Sequence, residues 1–292
     1  MTNRFLQTAA SFTALALLTL TSAAEAQISF VNMFRSNSFS QTGNGNSLSL
    51  NGYFFSVDLN SVNPGDFTTG TVTGPGPTTP VALTLTPGNP TNLGYQTGFF
   101  PNKTTMDTAF PTGTYVFHGL GGTQGPLDAT LHYNGDVFPA SQPFLTGTDY
   151  MNLQGVNASN AISLHFSSFS FQSAANAQFQ FLTIYDNTLN AFVYNAGFLP
   201  QTATGITISA NTLAAGHSFT YELIDSNRVF DTAGVGADFA PQLGFDFRTT
   251  GSFSTSRSVV PEPGALALLG SLGLTALAFL KRRGRLSTSQ DS

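Results

Sequence analysis

Apolar residues in the middle of this chain recur at every second position and almost never at the spacing of a helix. Tyr53, Phe55, Val57 and Leu59 alternate with Phe54, Ser56 and Asp58. Val81, Leu83 and Leu85 repeat the pattern, as do Leu127, Ala129, Leu131 and Tyr133, then Ile162, Leu164 and Phe166, then Phe219, Tyr221 and Leu223. Phe245 and Phe247 mark one more strand. A strand points successive side chains to opposite faces, so this period predicts sheets with one buried face. Asn44-Gly45, Asn51-Gly52 and Asn134-Gly135 read as hairpin pairs, and Pro64-Gly65, Pro75-Gly76-Pro77 and Pro87-Gly88-Asn89-Pro90 as turns. After Phe166 the pattern slips by one residue to Phe169 and Phe171, as a β-bulge at Ser167-Ser168 would produce. The expected fold class is all-β, with one or two antiparallel β-sandwich domains. Alternation lapses between residues 136 and 160, which predicts an N-terminal sandwich over 27–145 and a C-terminal one over 146–258.

Composition narrows the function classes. Charged residues make up 9%, and Cys is absent. Disulfides, thiolate metal sites and a cysteine nucleophile are thereby excluded. Between Gln27 and Val260 there are five basic and twelve acidic residues, a net charge of −7. Such a body lacks the cations that nucleic-acid binding needs.

The two ends read as addresses. Arg4 precedes an uncharged apolar run from Phe5 to Ala23, closed by Ala24-Glu25-Ala26. A basic start, an apolar stretch and small residues at Ala24 and Ala26 predict a signal peptide over 1–26, with a retained anchor as the alternative. Near the other end, Val260-Pro261-Glu262-Pro263 precedes 17 uncharged residues (264–280) and then Lys281, Arg282, Arg283 and Arg285. That length suits a single transmembrane helix, and the basic cluster predicts a cytoplasmic end.

This end resembles the PEP-CTERM sorting domain, in the order Pro-Glu-Pro, spanning helix, Arg-rich cluster over 259–285. The resemblance implies a Gram-negative bacterium, export through the Sec translocon, signal-peptidase cleavage, and recognition by an exosortase at Val260–Pro263 and the basic cluster. The membrane helix would then be transient, and the body would pass from an inner-membrane intermediate to the cell surface or extracellular space. Ile206-Thr207-Ile208 and Leu213-Ala214-Ala215-Gly216-His217-Ser218-Phe219 resemble a fibronectin type III or other immunoglobulin-like strand junction. Ala215 and Phe219 replace the Pro and Tyr usual there.

No catalytic pattern emerges. His118, His132 and His165 fall on polar phases of strands and His217 in a turn, with no two close enough for a zinc pair. Neither G-x-S-x-G nor H-E-x-x-H occurs. Glu222 alternates away from Tyr221 and Leu223 and is expected to face water. The one cluster of hard oxygen ligands is Asp225, Asn227 and Asp231, with Asp238 beyond. Its spacing is not that of an EF-hand, and Asp225-Ser226-Asn227 reads first as an Asx turn, with Ca²⁺ as the alternative. Phe34 and Gly98-Phe99-Phe100-Pro101 lie outside clean strands and are expected to be exposed.

The expectation is a non-enzymatic, cofactor-free structural or adhesive protein of a biofilm matrix. A carbohydrate-binding module acting on exopolysaccharide is the alternative, and a secreted hydrolase with a nonlocal site the third.

Overall fold

The computed structural model describes residues 28–122, 126–169 and 172–257. The signal peptide, Phe171 and the whole sorting segment, including the span 264–280, lie outside them. No helix among the described residues is long and apolar enough to cross a membrane.

Among the described residues there are thirteen strands, most of them alternating as the sequence predicts. They are β1 (Ile28–Gln41), β2 (Leu48–Ser61), β3 (Thr69–Thr73), β4 (Val81–Thr86), β5 (Asn89–Gln96), β6 (Gly113–Leu120), β7 (Leu127–Tyr133), β8 (Ile162–His165), β9 (Ala177–Asp186), β10 (Ala191–Asn195), β11 (Gly205–Ile208), β12 (Ser218–Phe230) and β13 (Gln242–Ser254). Two short helices interrupt them, α1 (Lys103–Ala109) and α2 (Asp149–Asn152). Asn102 caps α1 by accepting the Thr105 N–H.

Eleven strands form one sheet in the order β10-β9-β12-β13-β1-β2-β5-β4-β3-β6-β7, and β8 pairs with β11 separately. One pairing departs from the antiparallel expectation: β1 runs parallel to β13. Strands from opposite ends of the described chain therefore lie side by side at the centre of the sheet.

The sheet buries two apolar clusters on its inner face. In the first, Val31 and Met33, Phe55 and Val57, Leu83, Phe117 and Leu131 meet Phe245. These come from strands spread across half the sheet, so that half curls on itself and brings β7 back beside β1. In the second, Leu182, Tyr221, Leu223 and Phe253 of the sheet pack against Ile162, Leu164 and Ile208 of β8 and β11. β13 serves both, with Phe245 in one cluster and Phe253 in the other.

Arg35 lies wholly buried at the first cluster. Its guanidinium donates to Phe110 O at 2.8 Å, pairs with Asp107 and sits 4.8 Å above the Tyr133 ring. Asp136 lies 3.0 Å from Arg35 Nε, and Lys103 closes the network by pairing with both acids. A buried arginine is tolerated when its charge is compensated in this way.

Several local readings are corrected. Asn51-Gly52 is not a turn: it lies inside β2 at a bulge opposite Ser38 and Phe39. Gly52 has φ +141°, and a side chain there would meet Phe100 O at 2.7 Å, where residue 100 bridges to Tyr53. Asn134-Gly135 follows an outer strand and opens a long connection instead of a hairpin. β8 ends at His165, so Ser167-Ser168 is not a bulge; Phe166 makes only an isolated bridge to Leu145. Asp225-Ser226-Asn227 lies within β12, which is paired on both sides, to β9 and to β13. Two full ladders of backbone hydrogen bonds override the local preference of Asx residues for turns.

Candidate ligand-binding face

The outer face of the same sheet is polar at its centre. Asp246 and Arg248 on β13, Ser226 and Arg228 on β12, Ser36 on β1 and Asp58 on β2 all occupy outward phases, as their registers require. Val57 and Phe245, one residue out of phase with Asp58 and Asp246, point the other way into the first cluster. Asp246 is wholly buried on this outer side because the two arginines cover it. Arg248 Nη2 donates to Asp246 at 2.8 Å, and Arg228 Nη1 lies 3.4 Å from the other carboxylate oxygen. Ser226 also donates to it. Burial raises the Asp246 carboxyl, but the charges of Arg228 and Arg248 and these hydrogen bonds outweigh it and hold the group below the usual aspartate range. Glu222, expected to face bare water, is instead half-buried and lies 3.5 Å from Arg248.

Arg228 reaches across Gly244 to stack on Phe34, with 4.5 Å between guanidinium carbon and ring centroid. Any side chain at residue 244 would collide with the Arg228 guanidinium and the Phe34 ring. Phe34, which falls inside β1, is therefore half-covered, while Phe99 is exposed as the sequence suggested.

Beside these arginines lies a cavity of about 640 Å³, lined by Phe34, Asp58, Thr84, Gln96, Arg228 and Arg248 among others. Gly94 forms part of its wall. Burial pushes the Asp58 carboxyl up, against the Asn92 hydrogen bond and the Arg248 charge. The lining mixes donors and acceptors with two aromatic residues, Phe34 and Tyr95. Asp58, Asp246 and Glu222 offset the two arginines, so the face is not a polyanion site.

Toward the β10 edge the same face turns aromatic. Phe179 and Phe181 on β9 lie opposite Ser226 and Ile224 of β12, and so share the outward side. Phe198 covers them, at 4.5 and 5.8 Å between ring centroids, and is 71% exposed. Phe192 packs edge-on to Tyr185 at 5.1 Å and is 73% exposed. β9 pairs directly with β12, whose Arg228 lines the cavity, so aromatic platform and cavity share one surface.

Each histidine is held by an aspartate through Nδ1. The pairs are His118–Asp128 at 2.7 Å, His132–Asp231 at 2.9 Å, His165–Asp149 at 3.0 Å and His217–Asp186 at 2.7 Å. Among the described residues none of the four rings bonds a serine or threonine hydroxyl. His132, Asp136 and Asp231 line a second cavity of about 470 Å³, where Thr232 is the hydroxyl present.

The candidate Ca²⁺ ligands are only partly brought together. Asp225 and Asn227 share the inner face of β12, but Asp231 lies past its end and accepts the His132 backbone N–H at 2.6 Å. Ala24, Ala26, Val260, Pro261, Glu262, Pro263, Lys281, Arg282, Arg283 and Arg285 lie outside the described residues. Sequence reasoning missed Asp58, Arg228, Arg248, Phe192 and Phe198. Part of the signal was present, since Asp246 and Arg248 stand two apart on the phase opposite Phe245 and Phe247.

No family model matches this chain, and no curated protein does. Among solved structures it is similar to a human OSCAR ligand-binding domain, at 11% identity, over 75% of this chain and 95% of that one, with a TM-score of 0.19. It is also similar to the BSP domain of a biofilm-associated protein, at 12% identity, over 81% of this chain and 30% of that one, with a TM-score of 0.20. At such scores neither likeness bears on fold or function. The class defined by the fold itself is an all-β protein whose large sheet buries two apolar clusters on its inner face and carries a polar, aromatic-edged outer face.

Proposed function

We propose that this chain is an exported, non-catalytic surface or matrix protein of structural or adhesive type, delivered by exosortase processing. The observation that carries this reading is the ordered C-terminal run of Pro261-Glu262-Pro263, an uncharged 17-residue span and a basic cluster, paired with a signal-like N-terminus. The test places one tag in the body and another after Arg285, in cells with and without an exosortase. Loss of the C-terminal tag only with exosortase is the expected result. Retention of both tags in both strains would reject the sorting route.

A second reading, that the body adheres by binding polysaccharide, is favoured by the outer face. Its cavity offers the mixed donors and acceptors that hydroxyl-rich ligands need, and its aromatic platform offers rings for stacking. Because acids offset Arg228 and Arg248, the ligand of this reading is a neutral polysaccharide. Retention on immobilised neutral glycans that survives raised salt is the expected result; salt-sensitive binding to anionic polymers alone would reject it.

A further inference from the structure

The inner face of the sheet is not apolar throughout. Between the two clusters, four polar side chains occupy neighbouring positions on two adjacent strands. Gln180 of β9 stands opposite Asp225 of β12, and Gln178 opposite Asn227. Gln180, Asp225 and Asn227 are wholly buried, and Gln178 is 6% exposed.

Each of the four presents an oxygen with no hydrogen-bond partner among the described residues: Gln178 Oε1, Gln180 Oε1, Asp225 Oδ2 and Asn227 Oδ1. Their amide orientations are fixed from behind. The Gln178 amide donates to Gln172 O at 3.0 Å, the Asn227 amide to Val137 O at 2.8 Å, and the Gln180 amide to Asp225 Oδ1 at 2.8 Å. Flipping any of the three would set an oxygen against another oxygen. With Asp225 ionised, the cluster therefore offers four acceptors and no donor, in a place where unsatisfied polar atoms are strongly disfavoured.

We propose that Gln178, Gln180, Asp225 and Asn227 bind one monovalent hard cation, sodium or potassium, between β9 and β12. Amide and carboxylate oxygens are the ligands such an ion accepts in place of water. The choice of a single charge follows from the ligand set. One carboxylate neutralises one positive charge, whereas a divalent ion would leave a buried charge uncompensated. Tight calcium sites need more carboxylates than the one present. The site keeps Asp225 and Asn227 of the sequence-level candidate, drops Asp231, and draws its other two ligands from β9. Gln180 is 45 residues from Asp225, and the pairing of β9 with β12 makes them neighbours.

Thermal unfolding of the full-length chain in mild detergent tests this, in sodium, potassium and choline chlorides at equal ionic strength. Sodium or potassium should raise the midpoint above choline by about 2–4 °C, the shift expected for a ligand that binds only the folded state. The difference should vanish in Asp225→Asn and in Gln178→Leu, two variants whose folding is checked by circular dichroism. Equal midpoints in all three salts would overturn the site. Stabilisation by calcium at concentrations where sodium has no effect would overturn the monovalent assignment. Tag processing by exosortase is read separately and is independent of this result.

Discussion

Asp225 and Asp246 sit on adjacent strands, and both are wholly buried, yet their surroundings drive them in opposite directions. On the inner face, burial pushes the Asp225 carboxyl up to about 7, and only the Gln180 hydrogen bond opposes it. On the outer face, Arg228 and Arg248 overcome the same burial effect and hold Asp246 low. Depth alone does not decide whether a buried acid is ionised; the nearest compensating charge does. The outer face supplies its own cations from β12 and β13. Next to Asp225 the inner face supplies only the Gln180 amide, which is why an external cation is invoked there.

The largest effect should come from breaking the compensated site. Asp246→Ala leaves two largely buried arginines without their shared partner and should cost about 3–5 kcal/mol, read as a lower urea midpoint. Next comes the uncompensated site. In choline chloride at pH 8, Asp225→Asn removes a carboxylate that the fold disfavours and should stabilise by about 2–4 kcal/mol, with sodium reducing the gain. No gain in choline would mean that Asp225 has a compensating partner.

The pH dependence follows with opposite signs. Asp225 has a folded value raised above the ordinary aspartate value of 3.8, so its contribution falls as pH rises from about 4 to 7. Asp246 has a lowered value, so its contribution is present above the ordinary aspartate range and is lost as pH falls through its folded pKa. In choline, the wild type should therefore gain stability from pH 8 toward 5 and lose it in strong acid, by urea titration at each pH. Asp225→Asn should flatten the first limb and Asp246→Asn the second.

Smaller effects belong to the outer face. Gly94→Val would place atoms beside Asp58 and Thr86, where a Cβ already comes within 3.2 Å of both. It should weaken retention on a neutral polysaccharide about tenfold, or about 1.4 kcal/mol, with the unfolding midpoint little changed. Phe198→Ala should weaken it about threefold, at the lower end of what an aromatic contact contributes. Retention unchanged in both variants would separate this face from adhesion.

Much of the fold was legible because period two is a local signal. Phe55, Val57 and Leu59 are buried as their alternation predicts, and so are Ala129, Leu131 and Tyr133. Asn44-Gly45 falls in the β1–β2 connection and Pro87-Gly88 in the β4–β5 connection. Residues 225–227 were misread because short polar side chains favour turns locally, while the ladders that hold them in β12 come from strands far away in sequence. The histidine partners were hidden for the same reason, His132 and Asp231 being 99 residues apart. Leu85 shows the converse limit: its phase matches Val81 and Leu83 and its ladder partner Leu93 is buried, yet it is 45% exposed.

The order of residues was enough to establish a two-faced, strand-built body, the lack of cysteine, the sparse and mainly acidic charge, and the pattern of both ends. These are properties of spacing and composition that do not depend on distant partners. Tertiary structure alone decided that β1 closes against β13 in parallel, that Arg228 and Arg248 share Asp246, and that Gln178 and Gln180 meet Asp225 and Asn227. Each depends on which strands become neighbours and how much water they exclude. The strength of a buried charge or amide is set by that exclusion, and no local stretch of residues encodes it.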